Sequence, residues 1–515
     1  MEPAAAWGPY CHQFQLSNWT VEEPAAGLPV EYASIDIPGT CGLQAYVPES
    51  SGGQQLVEYN YYHAASNSKH MSQQVGDVDG EAKISNDSHA RSVVRQVLGE
   101  FKDDIGMTMA KMHRYPACLG AVDKCYTSPR IVAIGPYYHH RLDHLKQAEK
   151  VKHAAACHCV KRSGRLLEEL YEAVVPIADA ARRLYDKDVM AGISYDNFRH
   201  MMFFDACFLV QYMLMRGRTE VIDESLSGFM SPNRIDIFHD IMLLENQLPW
   251  EVVEIVMSFM PVPMSLISKK FVARMRHCML PDDRHEPLQQ KPFIWYEGYK
   301  PPHLLGLLRH YIVGKSDVDY PASMPKNIAF SVSAMELAEI GITLTANKTT
   351  ELVDMRLINK VGTLFAELSL PPLSLDRDCA SYLVNMVALE LCTVKSFSEV
   401  KASYSAVCSY ILLLAMLVYR EEDVHELRAR GILQGGGGLT NKEALRFFTS
   451  FQGLRFGPYY YHIMLQIESY RDRSRMKTKL LTLIHNHKKT IATVVTGIGA
   501  VGGIIATLLS IKKSL

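Results

Sequence analysis

Between about residue 142 and residue 485 apolar residues return every three or four positions along most of the chain, the spacing of helices that bury one face. From Leu142 to Leu184 this spacing predicts two helices, separated near Arg162-Ser163-Gly164. Phe198 to Met215 and Ile235 to Gln247 predict two more. The second of these should stop before Pro249, because the residue preceding a proline is pushed out of the helical region and the ring blocks continuation. Pro261, Pro263, Pro281, Pro287, Pro292, Pro301 and Pro302 make the following stretch read as a long connection.

Ser333 and Glu336 have the spacing of a capping box, and Gly341 marks the end of the short helix they open. The period then changes to two. Val353, Met355 and Leu357 alternate with Asp354 and Arg356, Leu364 to Leu370 alternates likewise, and Asn347-Lys348-Thr349 reads as a turn, so a small antiparallel β-sheet is expected. Helices resume over Cys379 to Cys392, over the apolar run Val407 to Tyr419, and over Glu421 to Gly431, where acids at the start and Arg428 and Arg430 at the end suit the helix dipole. At thirteen residues, Val407 to Tyr419 is too short to cross a bilayer and reads as the central core helix. After the linker Gly435 to Gly438, Thr440 and Glu443 form a second capping box, opening a helix through Phe448, and Pro458 suits the first position of a long final helix.

Ile491 to Ile511 is twenty-one residues without a charge, bracketed by Lys488 and Lys489 before it and Lys512 and Lys513 after it. As a helix it would be about 30 Å long, the thickness of a hydrocarbon core. Its five Ile, three Val and two Leu contribute roughly −3 to −6 kcal/mol towards insertion, partly offset by Gly, Thr and Ser. A buried core helix is the alternative, but lysines at both ends suit a span whose charges reach both interfaces. Gly499 and Gly503 lie four apart on one face, a spacing that lets two such helices approach closely and form a homodimer, while glycine facing lipid is an equal reading.

Composition sharpens this picture. Residues 1–105 are poorly patterned, with Pro and Gly near the start and a polar stretch from Asn67 to Ser88; Ser92 is placed to cap a helix carrying Val93, Val94, Val97, Leu98 and Phe101. The chain has 515 residues, 48% hydrophobic and 21% charged, which suits a globular core, and residues 106–485 form the helical domain. A formal net charge of −1, with no run of Lys and Arg interleaved with aromatics on the body, gives no footprint for nucleic acid. Eleven cysteines without a repeating spacing read as mostly reduced, buried thiols. The first residues lack the charged start and apolar stretch of a signal peptide.

Seven basic residues against Asp472 lie between Arg471 and Lys489, and only Lys512 and Lys513 lie beyond the apolar run, so the body is expected on the cytoplasmic side of a plasma or endoplasmic reticulum membrane. The ending Lys512-Lys513-Ser514-Leu515 also has the spacing of a dilysine retrieval signal, a reading that needs the opposite orientation. Asn18, Asn86 and Asn347 begin glycosylation sequons that would be modified only on a lumenal body.

Candidate chemistry is sparse. His140 and His144 stand one helical turn apart, followed by His153, Cys157, His158 and Cys159, yet Arg141-Leu142-Asp143 replaces the Glu-x-x of a metalloprotease helix, and packed, hydrogen-bonded histidines are the preferred account. Asp205 sits inside one apolar helix, and Asp240 and Glu245 lie near the end of another. Two carboxylates in a dry site divide acid and base roles in many hydrolases, whereas a buried carboxylate also serves as an acceptor for a helix end or loop. The structural account is favoured for Glu245, Asn246 and Gln247, which are placed to tie off a helix before Pro249. No nucleophile elbow, phosphate-binding glycine loop or dinucleotide fingerprint is present, so no cofactor is expected.

Several strings resemble one plant family, known as domain of unknown function 247. They include Arg130 to His140, with Gly135, Pro136, Tyr137 and His139; Met201 to Phe208, with Asp205 and Cys207; and Asp240 to Pro249, with Glu245, Asn246, Gln247 and Pro249. His303-Leu304-Leu305, Ser333 to Leu337, Asn385 to Glu390 and Gly431-Ile432-Leu433 follow in family order, over about residues 115 to 480. Tyr138 doubles the family's single tyrosine, and Arg141 stands where a glycine is usual. The resemblance implies a helical, membrane-associated plant protein without an agreed activity, and some grass members are associated with pollen self-incompatibility.

The expectation is therefore a mainly α protein: a helical globular body with a small antiparallel sheet and one C-terminal transmembrane helix. Its expected role is non-enzymatic interaction or recognition at a lipid bilayer with a protein partner, and the alternative is a membrane-bound enzyme, perhaps a hydrolase using Asp205 and Glu245.

Overall fold

A computed structural model describes residues 92–95, 97–99, 107–139, 142–219, 223–278, 294–314, 332–349, 351–359, 365–394, 397, 402–434 and 438–486, with side chains up to 475 except at 277, 278 and 402. A compact unit begins at Thr108. Residues 92–95 and 97–99 are helical, and Val93, Val94, Val97 and Leu98 on that helix are exposed, so they build no core there.

The compact unit starts with α1 (Lys146–Ser163) and α2 (Leu167–Ala181), divided where the sequence divides them. Gly164 takes φ +64° at the end of α1, a left-handed turn that glycine makes without a Cβ penalty. A short helix, α3 (Lys187–Met190), leads to α4 (Tyr195–Gly217), whose entry is capped by Ser194 Oγ accepting the Asn197 N–H. Phe198, Phe203, Phe208, Met201, Val210 and Tyr212 on α4 are all buried, so this helix is covered on every side, and α1 and α2 pack on it.

After α5 (Glu224–Met230) comes α6 (Arg234–Ile241), and here the sequence reading needs correction. The helix ends at Ile241, not just before Pro249. Asn246 Nδ2 donates to the Asp240 carbonyl, and Gln247 Nε2 donates to the carbonyls of Ile241 and Leu243, so side-chain amides take the acceptors that another helical turn would have used. Pro249 opens α7 (Trp250–Ser258). The supposed long connection also contains a helix, α8 (Met264–Cys278), which packs on α4 along with α7. Pro263 immediately precedes it, a position where the ring costs no helical hydrogen bond.

α9 (Leu304–Val313) and α10 (Ala334–Glu339) follow, the latter with both halves of its capping box formed and Gly341 at φ +85° just after it. The sheet is mixed, not antiparallel. Its strands are β1 (Ile342–Ala346), β2 (Arg356–Asn359) and β3 (Ala366–Leu370), in the order β1-β3-β2. β2 runs antiparallel to β3 with Leu357 opposite Leu368, but β1 runs parallel to β3 with Leu344 opposite Leu368. Asn347 forms the expected turn, with Thr349 N–H donating to its side chain. A separate pair, β4 (Leu373–Ser374) and β5 (Leu433–Gln434), is parallel, with α11 (Arg377–Thr393), α12 (Ala406–Leu417) and α13 (Glu421–Ala429) between its strands.

α12 is buried along its whole length and packs against α11, α14 (Asn441–Thr449) and α15 (Pro458–Asn486), as a central core helix should. Among the described residues no single helix is long and apolar enough to cross a membrane. The predicted span Ile491 to Ile511, with Gly499 and Gly503, lies outside the described residues, as does most of the Gly435 to Gly438 run.

Candidate functional site

Residues 130–139 run through the interior with little regular structure, so their backbone N–H groups must find acceptors outside any helix or sheet. Asp240, completely buried on α6, takes three of them: its Oδ1 accepts from Arg130 N at 2.7 Å, and its Oδ2 from Ile131 N at 2.7 Å and Val132 N at 2.8 Å. Burial pushes this carboxyl up to about 7, while the three N–H groups favour its ionised form. Asn246 continues the series, accepting from Ile134 N at 2.6 Å and donating to the Val132 carbonyl at 3.0 Å.

Gly135 N–H donates to Asp205 Oδ2 on α4 at 2.8 Å. Gly135 has φ +71°, and a Cβ there would sit 2.8 Å from the Gln247 carbonyl oxygen, so both conformation and close approach call for glycine. The other oxygen of Asp205 lies 2.6 Å from Lys152 Nζ on α1, and Glu149 Oε1 lies 2.7 Å from the same ammonium. Burial alone would lower Lys152, but Asp205 and Glu149 outweigh it and raise its pKa; burial pushes Asp205 up, against the pull of Lys152.

Lys152 is the group that sequence reasoning missed. It shares the buried face of α1 with Ala148, Ala155, Ala156 and Cys159, and a lone lysine in a stripe of small residues was the available signal.

Glu245 serves a different strand of the chain. Its Oε1 accepts from Tyr115 N at 2.8 Å, and Tyr138 Oη lies 3.0 Å from its Oε2. Gln247 joins three elements: it caps α6, its Oε1 accepts from Leu305 N at the start of α9, and its carbonyl accepts from Tyr185 Oη. Asn385 on α11 accepts from Leu244 N and donates to the Tyr126 carbonyl. Pro136 and Tyr137 are buried, and Tyr137 Oη donates to the Met112 carbonyl at 2.6 Å. Cys207 is buried towards Cys159, whose Sγ lies 3.8 Å from the Cys207 carbonyl, while His139 is half-buried.

Asp205, Asp240, Glu245, Asn246 and Asn385 thus act as one clamp on residues 126–138. Asp205 and Glu245 each have their oxygens engaged by different partners, and neither lines the open cleft of about 590 Å³ that lies beside Pro129. That cleft has Cys125, Arg130, His144, Arg377 and Asp378 on its walls, and Arg130 Nη1 already bridges Asp236 at 3.0 Å and Asp378 at 2.8 Å.

The histidine and cysteine series does not converge. His144 Nε2 is 3.4 Å from the Pro129 carbonyl, His153 packs edge-on against Phe204, and His158 lies 3.5 Å from Asp223. Cys159 Sγ meets Gln211, and His140 lies outside the described residues. Among the described residues no three of His, Cys, Asp and Glu are grouped as a metal site requires.

The chain belongs to the plant family known as domain of unknown function 247, described as plant protein of unknown function, whose pattern matches residues 112–506. A UPF0481 protein of Arabidopsis thaliana is 24% identical over 374 residues, covering 67% of this chain and 73% of that protein. No solved structure matches.

Proposed function

We propose that this chain is a membrane-anchored interaction protein whose buried polar groups hold its body together and take no part in catalysis. The observation that carries the reading is the engagement of both candidate carboxylates: Asp205 by Lys152 and Gly135, and Glu245 by Tyr115 and Tyr138. A general acid or base must reach a substrate proton, and these oxygens face backbone amides and side chains of the same chain. The anchor in this reading is Ile491 to Ile511, with Gly499 and Gly503 on the face where two spans meet, and the positive charge before it sets the body on the cytoplasmic side.

The test is expression of the full chain in plant cells, followed by alkaline carbonate extraction and glycosidase treatment. The protein is expected to stay with the membranes, to be released when residues 491–511 are deleted, and to show no glycosidase shift. Release of the intact chain by carbonate would remove the anchor. A shift abolished by changing Asn18, Asn86 and Asn347 would place the body on the other side and favour recognition outside the cytoplasm.

A further inference from the structure

α15 carries a concentration of charge where it leaves the body. Ile467 is buried and Tyr470 Oη donates to the Gly341 carbonyl at 3.2 Å, so the helix is held as far as this turn. Beyond it Asp472, Arg473 and Arg475 are exposed. Arg471 is shared between Glu468 at 3.9 Å and Asp472 at 3.6 Å, and Arg473 Nε donates back to the Ser469 carbonyl. From Arg471 to Lys489 the sequence holds seven basic residues and one acid, with no Phe, Tyr or Trp among them.

α15 continues as helix to Asn486, and its sequence there is two-sided. Arg471, Arg475 and Lys479 follow at steps of four along one face, while Met476, Leu480, Leu483 and Ile484 follow at i, i+4, i+7 and i+8 along another, with Lys477 at the edge of this apolar stripe and Arg473 on its side one turn earlier. A helix that only spaces the body from a membrane has no use for the apolar stripe, and one that binds a nucleic acid would be expected to interleave aromatics.

We propose that α15 from Arg471 to Asn486 lies along the surface of a bilayer leaflet containing anionic lipid, with its basic residues at the charged headgroups and its apolar stripe in the interface. This rests on the reading of Ile491 to Ile511 as a span. Charge complementarity and distance argue for it together. At 1.5 Å per residue, an upright helix would hold Lys479 roughly 18 Å and Arg471 roughly 30 Å from the start of the span. Screening at physiological salt acts over about 8 Å, so an upright helix brings only Lys488 and Lys489 into range, whereas a helix lying down brings the whole basic series to the surface.

The test reconstitutes the full chain, with an environment-sensitive fluorophore at Leu483, into vesicles of neutral phosphatidylcholine alone or with a third of phosphatidylserine. Carbonate extraction of the same vesicles reports the span separately. Emission is expected to shift to the blue in the phosphatidylserine vesicles, and to return at about 0.5 M salt, where the screening length shrinks. The shift should also vanish when Arg471→Gln, Arg473→Gln, Arg475→Gln, Lys477→Gln and Lys479→Gln are combined. Equal emission in the two vesicle types overturns the proposal and leaves the apolar stripe to a protein partner. A shift that survives salt and the five substitutions overturns it too. If carbonate extracts the chain while the lipid-dependent shift persists, the span reading fails and the surface docking stands.

Discussion

Asp205 Oδ1 lies 2.6 Å from Lys152 Nζ with both side chains at most 2% exposed, so one buried ion pair ties α1 to α4 at the point where Gly135 passes. Removing one partner leaves a charge with no solvent to receive it. Lys152→Met is expected to lower stability by about 3–5 kcal/mol in urea unfolding. Combining it with Asp205→Asn should recover at least half of that loss, because the amide oxygen still accepts the Gly135 N–H without a charge. Equal stability of the single and double variants would show that the pair is not the source.

Asp240 tests whether three converging N–H groups need a carboxylate. In Asp240→Asn one of the two accepting oxygens becomes a donor facing another donor. The expected cost is about 2–3 kcal/mol, with faster amide exchange at Ile131 and Val132. A loss under about 0.5 kcal/mol would mean that the neutral form already prevails and that burial outweighs the donors.

His303 makes stability depend on pH. Its Nδ1 accepts the Gly306 N–H at 3.2 Å to cap α9, which requires an unprotonated nitrogen, and burial lowers its pKa to about 3 from the usual 6.5. Between those values the unfolded chain binds more protons than the folded one, so the stabilisation is complete above pH 6.5 and is lost as pH falls towards 3. His239, lowered by burial to about 4, acts in the same direction. From pH 7 to pH 5 His303 alone should cost about 2 kcal/mol. His303→Asn keeps a capping oxygen and should flatten the profile; an unchanged slope between pH 5 and pH 7 would rule His303 out as its source.

Gly135→Ala is expected to destabilise by about 2 kcal/mol or more, through both its positive φ and the approach of the Gln247 carbonyl. Gly228→Ala is the control: that glycine lies within α5 with open space around its Cβ position, and alanine there should add up to about 1 kcal/mol. Similar melting temperatures for the two variants would contradict the close packing at Gly135.

Local chemistry made much of this protein legible in its sequence. The period of α1, α2 and α4, the capping boxes at Ser333 and Thr440, and the turn at Asn347 depend on neighbours within a few residues, and each forms as its sequence predicts. The tying-off of a helix by Asn246 and Gln247 was also readable from their place before Pro249, whereas Glu245, expected to share that task, holds Tyr115 and Tyr138 instead. The distant partners of all three were not readable. Asn246 reaches residues more than a hundred positions away, and nothing along the chain says that residues 130–138 are buried without regular structure and need acceptors supplied from α4 and α6. The sheet shows the same division. Alternation pointed to β3 and to the start of β2, but it carries no information on direction, and only the assembled sheet shows β1 running parallel to β3. Spacing marked Asp205 as a buried carboxylate; only the fold, by setting Lys152 of α1 against it, decided that its charge would be spent within the protein.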